Sequence, residues 1–304
     1  MYHYSIIKWL FFFYFYCFFG WIFESAYVSL RSKKFVNRGF MRGPFLPIYG
    51  SGAIMMLVVS MPFQDNIFLT YIAGCIGATV LELVTGVAME ALFKVRYWDY
   101  SNQKFNYKGH ICLSSTIAWG FLTIFMTEFL HKVVEKIISF IPAMTINVVT
   151  VIVTVYIIID FTLSFKAAMD LRGILVGLEK AKQEMERIQK RLDVIIAVAN
   201  DEREMRKLEN SMRIDDLMES IEERFGAFKE RIKINPSEFM EDVREEITEL
   251  RSRYIVEKEH RLQFKRLKDF YQRALIKGNP TMYSRRFEEA LEELKKAANE
   301  RRKK

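Results

Sequence analysis

Cysteine is scarce in this chain of 304 residues: there are three, Cys17, Cys75 and Cys112, far apart and each in apolar surroundings. An odd, scattered set supports neither a disulfide framework nor a zinc pair, and each is expected to pack as a small hydrophobe. The familiar catalytic signatures are missing too. No G-x-x-x-x-G-K-[ST] loop is present, which excludes ATP hydrolysis by P-loop chemistry, and G-x-S-x-G, H-E-x-x-H and C-x-x-C are equally absent. No metal and no cofactor are expected. No strand pattern and no internal repeat can be read anywhere. Charge is missing from only half of the chain. Residues 1–165 hold 12 Lys+Arg and 8 Asp+Glu, which leaves 33 and 29 for the rest. The averages of 51% hydrophobic and 27% charged therefore describe neither half. The first is too apolar for a soluble fold and the second too charged for a bilayer, which excludes both a simple soluble enzyme and a wholly embedded protein.

What is present is a series of apolar runs near the 20 or so residues that cross a bilayer core. Five are predicted, at 5–27, 45–63, 67–93, 111–130 and 141–165, making residues 1–165 a transmembrane bundle. The first run is longer than a signal-peptide core and has no basic leader, so it is expected to be a retained span. The loop at 31–42 contains Arg31, Lys33, Lys34, Arg38 and Arg42 with no acid, and 94–110 contains Lys94, Arg96, Lys104 and Lys108 against Asp99. The positive-inside rule puts both loops in the cytoplasm, with the N-terminus outside and the C-terminus inside. Pro47 and Pro62 leave the second run short, open to a tilted or re-entrant path. Residues 64–66 and 131–140 are expected to be outer loops.

After Phe165 the pattern changes. Leu171, Ile174, Leu178, Ala181, Met185, Ile188, Leu192, Ile195 and Ala199 follow spacings of three and four, a coiled-coil seam within 166–234. A charged helical region follows at 235–304, broken at Asn235-Pro236 and Gly278-Asn279-Pro280, with a last helix near 284–299. The expected class is thus all-α: a polytopic membrane bundle with a cytoplasmic coiled-coil tail. Such a seam predicts a homo-oligomer, its basic ends suit anionic membrane lipid, and acids on nearly every turn argue against nucleic acid.

The chemistry lies in the third span and the two basic loops. Gly74, Ala78, Glu82, Gly86 and Glu90 recur every four residues and share one helical side. A charge at the centre of a span costs about 2.5–3.5 kcal/mol, so Glu82 is expected to be protonated, paired or facing a polar cavity. Glu24, Glu90 and Asp160 fall in the same cytoplasmic half. The first loop and its exit bring Asn37, Arg38, Arg42 and Tyr49 between glycines that allow close backbone approach. The second brings Arg96, Trp98, Asp99 and Asn106, with His110 able to relay a proton and the aromatics able to serve as an interfacial belt. These eleven, Glu24, Asn37, Arg38, Arg42, Tyr49, Glu82, Glu90, Arg96, Trp98, Asp99 and Asn106, are the ligand-site candidates; a set of helix-packing ion pairs is the competing reading.

The same residues carry a resemblance. Gly20-Trp21 with Glu24, Asn37 to Pro44 as NRGFMRGP, Pro47 to Gly50 as PIYG, and Glu82, Thr85, Gly86 and Glu90 resemble the ABC-transporter type IV family of CmpB-like bacterial membrane proteins. WDYS at Trp98 to Ser101, then Asn106, Gly109, Ile111 to Leu113 and Trp119-Gly120 continue it, over residues 6 to about 125. His110 stands where the resemblance leads one to expect arginine, and Leu46 where cysteine is common. The resemblance implies a transporter component, and without a P-loop such a component requires a separate ATPase subunit. Three readings remain open on the residues alone: a permease-like protein with a cytoplasm-facing pocket for a zwitterionic or cationic ligand; a membrane enzyme on a lipid head group, for which no nucleophile–base pair stands out; and a scaffold or sensor that presents the tail.

Overall fold

The computed structural model describes the backbone of residues 4–208, 236–264 and 270–300, with side chains over 4–192, 244–262 and 270–299. Helix α1 (Ile6–Ser32) starts where the Ser5 hydroxyl accepts the Lys8 N–H, and ends on Lys33 in the left-handed region at φ 51°. Helix α3 (Ile67–Phe93) is built alike, with Asn66 accepting from Leu69 N and Lys94 left-handed at φ 62°. Each has 27 residues, about 40 Å of helix. Between them α2 (Pro47–Ser60), with a short 3₁₀ turn at Met61–Phe63, is only half as long.

Helix α4 (Leu113–Phe125) passes through a π-helical turn, Met126–Leu130, into α5 (His131–Ser139), so one apolar rod runs from Leu113 to Ser139. The outer loop expected at 131–140 is therefore helix for most of its length. The apolar period continues past Leu130 through Val134 and Ile138, which are buried along with His131. Helix α6 (Ala143–Leu208) then continues without a break across residue 165. Four helices, α1, α3, the α4–α5 rod and the first part of α6, are long and apolar enough to cross a membrane; α2 with its turn falls short of that length. The described residues depart from an all-α reading in a ribbon of β1 (Asn106–Tyr107) and β2 (Ile111–Cys112), antiparallel with Asn106 opposite Cys112. Two residues per strand are too few to leave an alternating pattern in the sequence.

Burial shows which surfaces face lipid. Along α3, Ile76, Val80, Val84 and Val87 form an outward stripe, and along α6 Val151, Ile152, Val155, Ile158 and Ile159 are more than half exposed. Water would not tolerate so much apolar area, whereas acyl chains do. Inside, Phe12, Tyr16, Leu57, Met126, Val134 and Ile138 form a core. Small residues let the helices meet. Tyr49 packs on Gly20 and Cys17 on Gly50, while Thr123 packs on Gly74 and Tyr71 on Gly120, and any Cβ at these glycines would collide with its neighbour.

Residues 33–46 are irregular and run back alongside α1. Val36 N bonds to Ser29 Oγ (2.9 Å), Arg38 N to Ser25 Oγ (3.2 Å) and Leu46 N to Cys17 O (3.0 Å), so successive residues meet successively earlier turns of α1. Cys17 lies fifteen residues before Ser32, about 22 Å up the helix, and α2 starts at that depth. Non-helical backbone so deep persists because protein satisfies it, as where Gly43 N bonds to Asp160 Oδ2 at 2.8 Å.

The chain divides into two compact units, Met1–Leu175 with Leu267–Lys304, and Val176–Arg266. In the second, α6 and α7 (Pro236–Phe264) are joined by the Arg191–Glu246 ion pair, with Leu178, Ala181 and Leu250 buried. Of the expected seam, Met185, Ile188 and Leu192 are half-buried, while the side chains of Ile195 and Ala199 and the Asn235 break lie outside the described residues. In the first unit, α8 (Phe270–Gly278) and α9 (Glu288–Glu300) return to the bundle, with Leu275, Met282, Phe287, Leu291 and Leu294 buried. Helix α8 ends at Gly278, at the expected break.

Candidate functional site

The ends of α1 and α3 lie on one face, since Phe40 from the first loop packs against Phe93 and edge-to-face with Tyr97 (5.4 and 6.2 Å between centroids). Here the returning segment carries Arg38 to Glu24, Nε to Oε1 at 3.4 Å, while Tyr49 Oη donates to Glu24 Oε2 at 2.7 Å. Both partners depend on the path of residues 33–46 back along α1: Arg38 is held by its own N–H on Ser25, and Tyr49 sits over Gly20. Trp21 Nε1 donates to Asn37 Oδ1 (2.6 Å), and Asn37 Nδ2 donates to Arg42 O (2.6 Å), which fixes the loop rather than the carboxylates.

Glu82 is 7% exposed and takes three neutral donors: Tyr100 Oη at 2.9 Å, Trp119 Nε1 at 3.0 Å and Ser115 Oγ at 3.3 Å. No cation lies within ion-pair distance of it among the described residues. The three donors supply the polar partners expected for a mid-span acid without a salt bridge. Ser115 and Trp119 are one turn apart on α4, a spacing visible in the sequence whose meaning depended on α4 packing along α3. Of the acids, Tyr100 is bonded to Glu82. Burial, and then the Glu82 charge, push its hydroxyl pKa well up, with Glu24 contributing in the same direction, so it stays a protonated donor.

Nearer the end of α3, Glu90 Oε2 faces Arg96 Nε at 2.9 Å and His110 Nε2 at 3.1 Å. The Arg96 contact is an ion pair without hydrogen-bond alignment, since Nε has no hydrogen-bond partner. Arg96 Nη1 also reaches Lys108 O (2.9 Å) and Asp99 Oδ1 (3.5 Å). The histidine at the expected arginine position thus still meets an acid. Asp99 Oδ1 in turn takes the Ser101 N–H and hydroxyl, Asn106 Oδ1 takes the Gly109 N–H, and Trp98 Nε1 donates to His110 O. Gly109, at φ 75°, turns the chain so tightly that Asp99, Ser101 and Arg96 leave no room for a Cβ. Trp98 and Asn106 therefore shape this loop and do not touch the buried acids.

The structure brings Glu24, Arg38 and Tyr49 together, and Glu90, Arg96 and Asp99 together, while Glu82 has its own partners in Tyr100, Ser115 and Trp119. It does not bring Arg42 to any of these acids: its guanidinium stacks on Phe270, 3.9 Å from the ring centroid. Cys112 is more than a small hydrophobe. Its Sγ accepts the Ser115 N–H and caps α4. Sequence reasoning missed a distant contributor altogether. Arg38 Nη1 donates to Asn279 Oδ1 (2.8 Å) and Gly278 O (3.4 Å), and Asn279 Nδ2 donates to Gly39 O (2.7 Å). Arg96 and Tyr283 exchange backbone hydrogen bonds of 2.6 and 2.9 Å, and Ser284 Oγ donates to Lys94 O (2.6 Å). The C-terminal segment thus covers this face of the bundle. A separate polar cluster lies towards the other end of α1, where buried His131 bonds to Tyr16 Oη (2.7 Å) and Tyr4 Oη (3.1 Å) beside Phe12. Among the described residues no group of three or more His, Cys, Asp or Glu could hold a metal ion.

Long apolar helices and a broad exposed apolar surface define a multi-pass α-helical membrane protein. Within that class, the family described as "Putative ABC-transporter type IV" matches residues 11–165, just over half of the chain. The chain belongs to that family. The match extends beyond residue 125, where the motif resemblance ends, through α6 to Phe165. Comparison with curated proteins and with solved structures yields no match.

Proposed function

We propose that this chain is the membrane-embedded, permease-like component of a transport system, without an ATPase of its own, whose ligand meets the Glu24–Arg38–Tyr49 and Glu82–Tyr100 groups from the cytoplasm. Glu90, Arg96 and Asp99 form the mouth, and Trp98, Asn106, Asn37 and Arg42 shape the loops around it. The observation that carries the reading is Glu82, a buried acid held by three neutral donors and no cation. A cationic or zwitterionic ligand would supply the missing positive charge, whereas an acid serving only helix packing would be expected to carry its own.

The topology that goes with this proposal has five crossings. The second is the run at 45–63, which the irregular residues before it lead into, so the N-terminus is outside and the C-terminus cytoplasmic. The regions 1–165, 166–234 and 235–304 then act as bundle, self-associating coiled coil and charged helical end. The test is quantitative mass spectrometry of proteins that co-purify with the tagged full chain, beside Glu82→Gln. A near-stoichiometric P-loop ATPase with both forms, together with loss of transport in the variant, is the expected result. Intact protein without such a partner would sink the permease reading and favour a scaffold, in which the unbroken α6 carries a signal between bundle and tail.

A further inference from the structure

A cavity of about 130 Å³ lies between the first loop and α8, apart from the buried acids. Its walls include Phe35, Phe40 and Met41 of the loop, Ser164 of α6, and two cations, Arg42 and Lys277. Three features mark it as a site for something. Ser164 is 3% exposed and its hydroxyl has no hydrogen-bond partner among the described residues, although a buried hydroxyl left unpaired is unfavourable. Arg42 and Lys277 are exposed and form no ion pair among the described residues; Arg42 has its guanidinium face on Phe270, which leaves its edge N–H groups for a ligand. Asp160 is one helical turn before Ser164 but is absent from the cavity lining, and its Oδ2 is engaged by Gly43 N–H.

We infer that this cavity binds a phosphate group. Guanidinium, ammonium and hydroxyl supply donors to more than the two oxygens of a carboxylate, and a phosphate has oxygens for all three. The aromatic wall and the neighbouring exposed Leu30 and Phe35, both 80% exposed at the end of α1, place the cavity at the edge of the apolar belt. The phosphate can therefore belong to a lipid head group or to a soluble anion. Because the walls come from residues 35–42 and from α8, a bound phosphate would fasten the C-terminal segment to the loop that carries Arg38. The inference does not rest on the proposed transport site, since none of the buried acids lines the cavity.

The test uses the full chain in dodecyl maltoside, a detergent without phosphate. Native mass spectrometry with added phosphatidylglycerol reads the lipid arm, and titration of inorganic phosphate without lipid reads the soluble arm. The Arg42→Ala/Lys277→Ala double variant and the milder Ser164→Ala are compared with the unaltered chain, each checked for a monodisperse, cooperatively melting sample. Glu82→Gln serves as the control for the other site. At least a tenfold weaker retention of phosphatidylglycerol in the double variant, with a smaller loss for Ser164→Ala and none for Glu82→Gln, supports the site and assigns it to lipid. The same pattern for inorganic phosphate alone supports it and assigns a soluble ligand. Binding in neither arm, or binding that the cavity substitutions leave unchanged, overturns it.

Discussion

Glu82 shows how a single residue can be legible and yet incompletely understood. Its depth in α3 predicts that it must be satisfied, but the three groups that satisfy it come from the 94–112 loop and α4. Replacing it with leucine leaves Tyr100, Trp119 and Ser115 with donors that have lost their acceptor, at about 1–3 kcal/mol for each that finds no other. Glu82→Leu is therefore expected to melt several degrees below the unaltered chain in detergent. Glu82→Gln, which keeps an acceptor oxygen, should melt within about 1 kcal/mol of it. Equal melting for Leu and the unaltered chain would show that the carboxylate does not take these bonds. Tyr100 itself should remain a phenol at any pH the protein survives, because burial and Glu82 raise its pKa. Ultraviolet difference titrations of Tyr100→Phe against the unaltered chain should thus coincide up to about pH 11, and an extra tyrosinate in the unaltered chain below that would contradict the burial.

At the level of elements, the informative ones are the least regular. Pro47 and the glycines around Arg38 hint at a short, interrupted second span. That the irregular segment returns along α1 to the depth of Cys17 follows only from its contacts with Ser29, Ser25 and Cys17. The C-terminal segment is held at the same loop by Asn279, which is 1% exposed. Asn279→Ala should release α8 and α9 from the bundle. The expected readout is a several-fold faster cut by trypsin at Arg273 or Lys277, with the rest of the chain protected; unchanged digestion would mean that burial of Leu275 and Met282 holds the segment alone. On the π-turn side, Tyr16→Phe removes one buried bond to His131 and should cost about 1 kcal/mol in thermal melts.

For the whole molecule, the question is which way the bundle faces. In a chain whose three cysteines are replaced, Lys34→Cys and Lys104→Cys are expected to react with an impermeant maleimide only from the cytoplasmic side, and Asp65→Cys and Phe140→Cys only from outside. Labelling of Asp65→Cys and Lys34→Cys from one side would remove the second crossing and leave four. Most of the architecture was readable without coordinates, because apolar runs of bilayer length are a coarse signal that survives any detail of packing. The α4–α5 rod was read too short, because charges at Glu128, Lys132, Glu135 and Lys136 look like a loop unless the buried positions Val134 and Ile138 are set on a helical face. The ribbon at 106–112 was too brief to register.

Composition alone decided that one half of this chain belongs in lipid and the other does not, since no arrangement of the first 165 residues can hide so much apolar surface from water. The spacing of Gly74, Ala78, Glu82, Gly86 and Glu90 likewise decided that two acids and three small residues share a helical side. Which acid meets which donor was decided only in three dimensions. Glu24 with Arg38, Glu82 with Tyr100 and Trp119, and above all Arg38 with Asn279, 241 positions apart, are contacts between segments whose sequences carry no mark of one another. Hydrogen bonds act over about 3 Å, and a sequence records distance only along the chain.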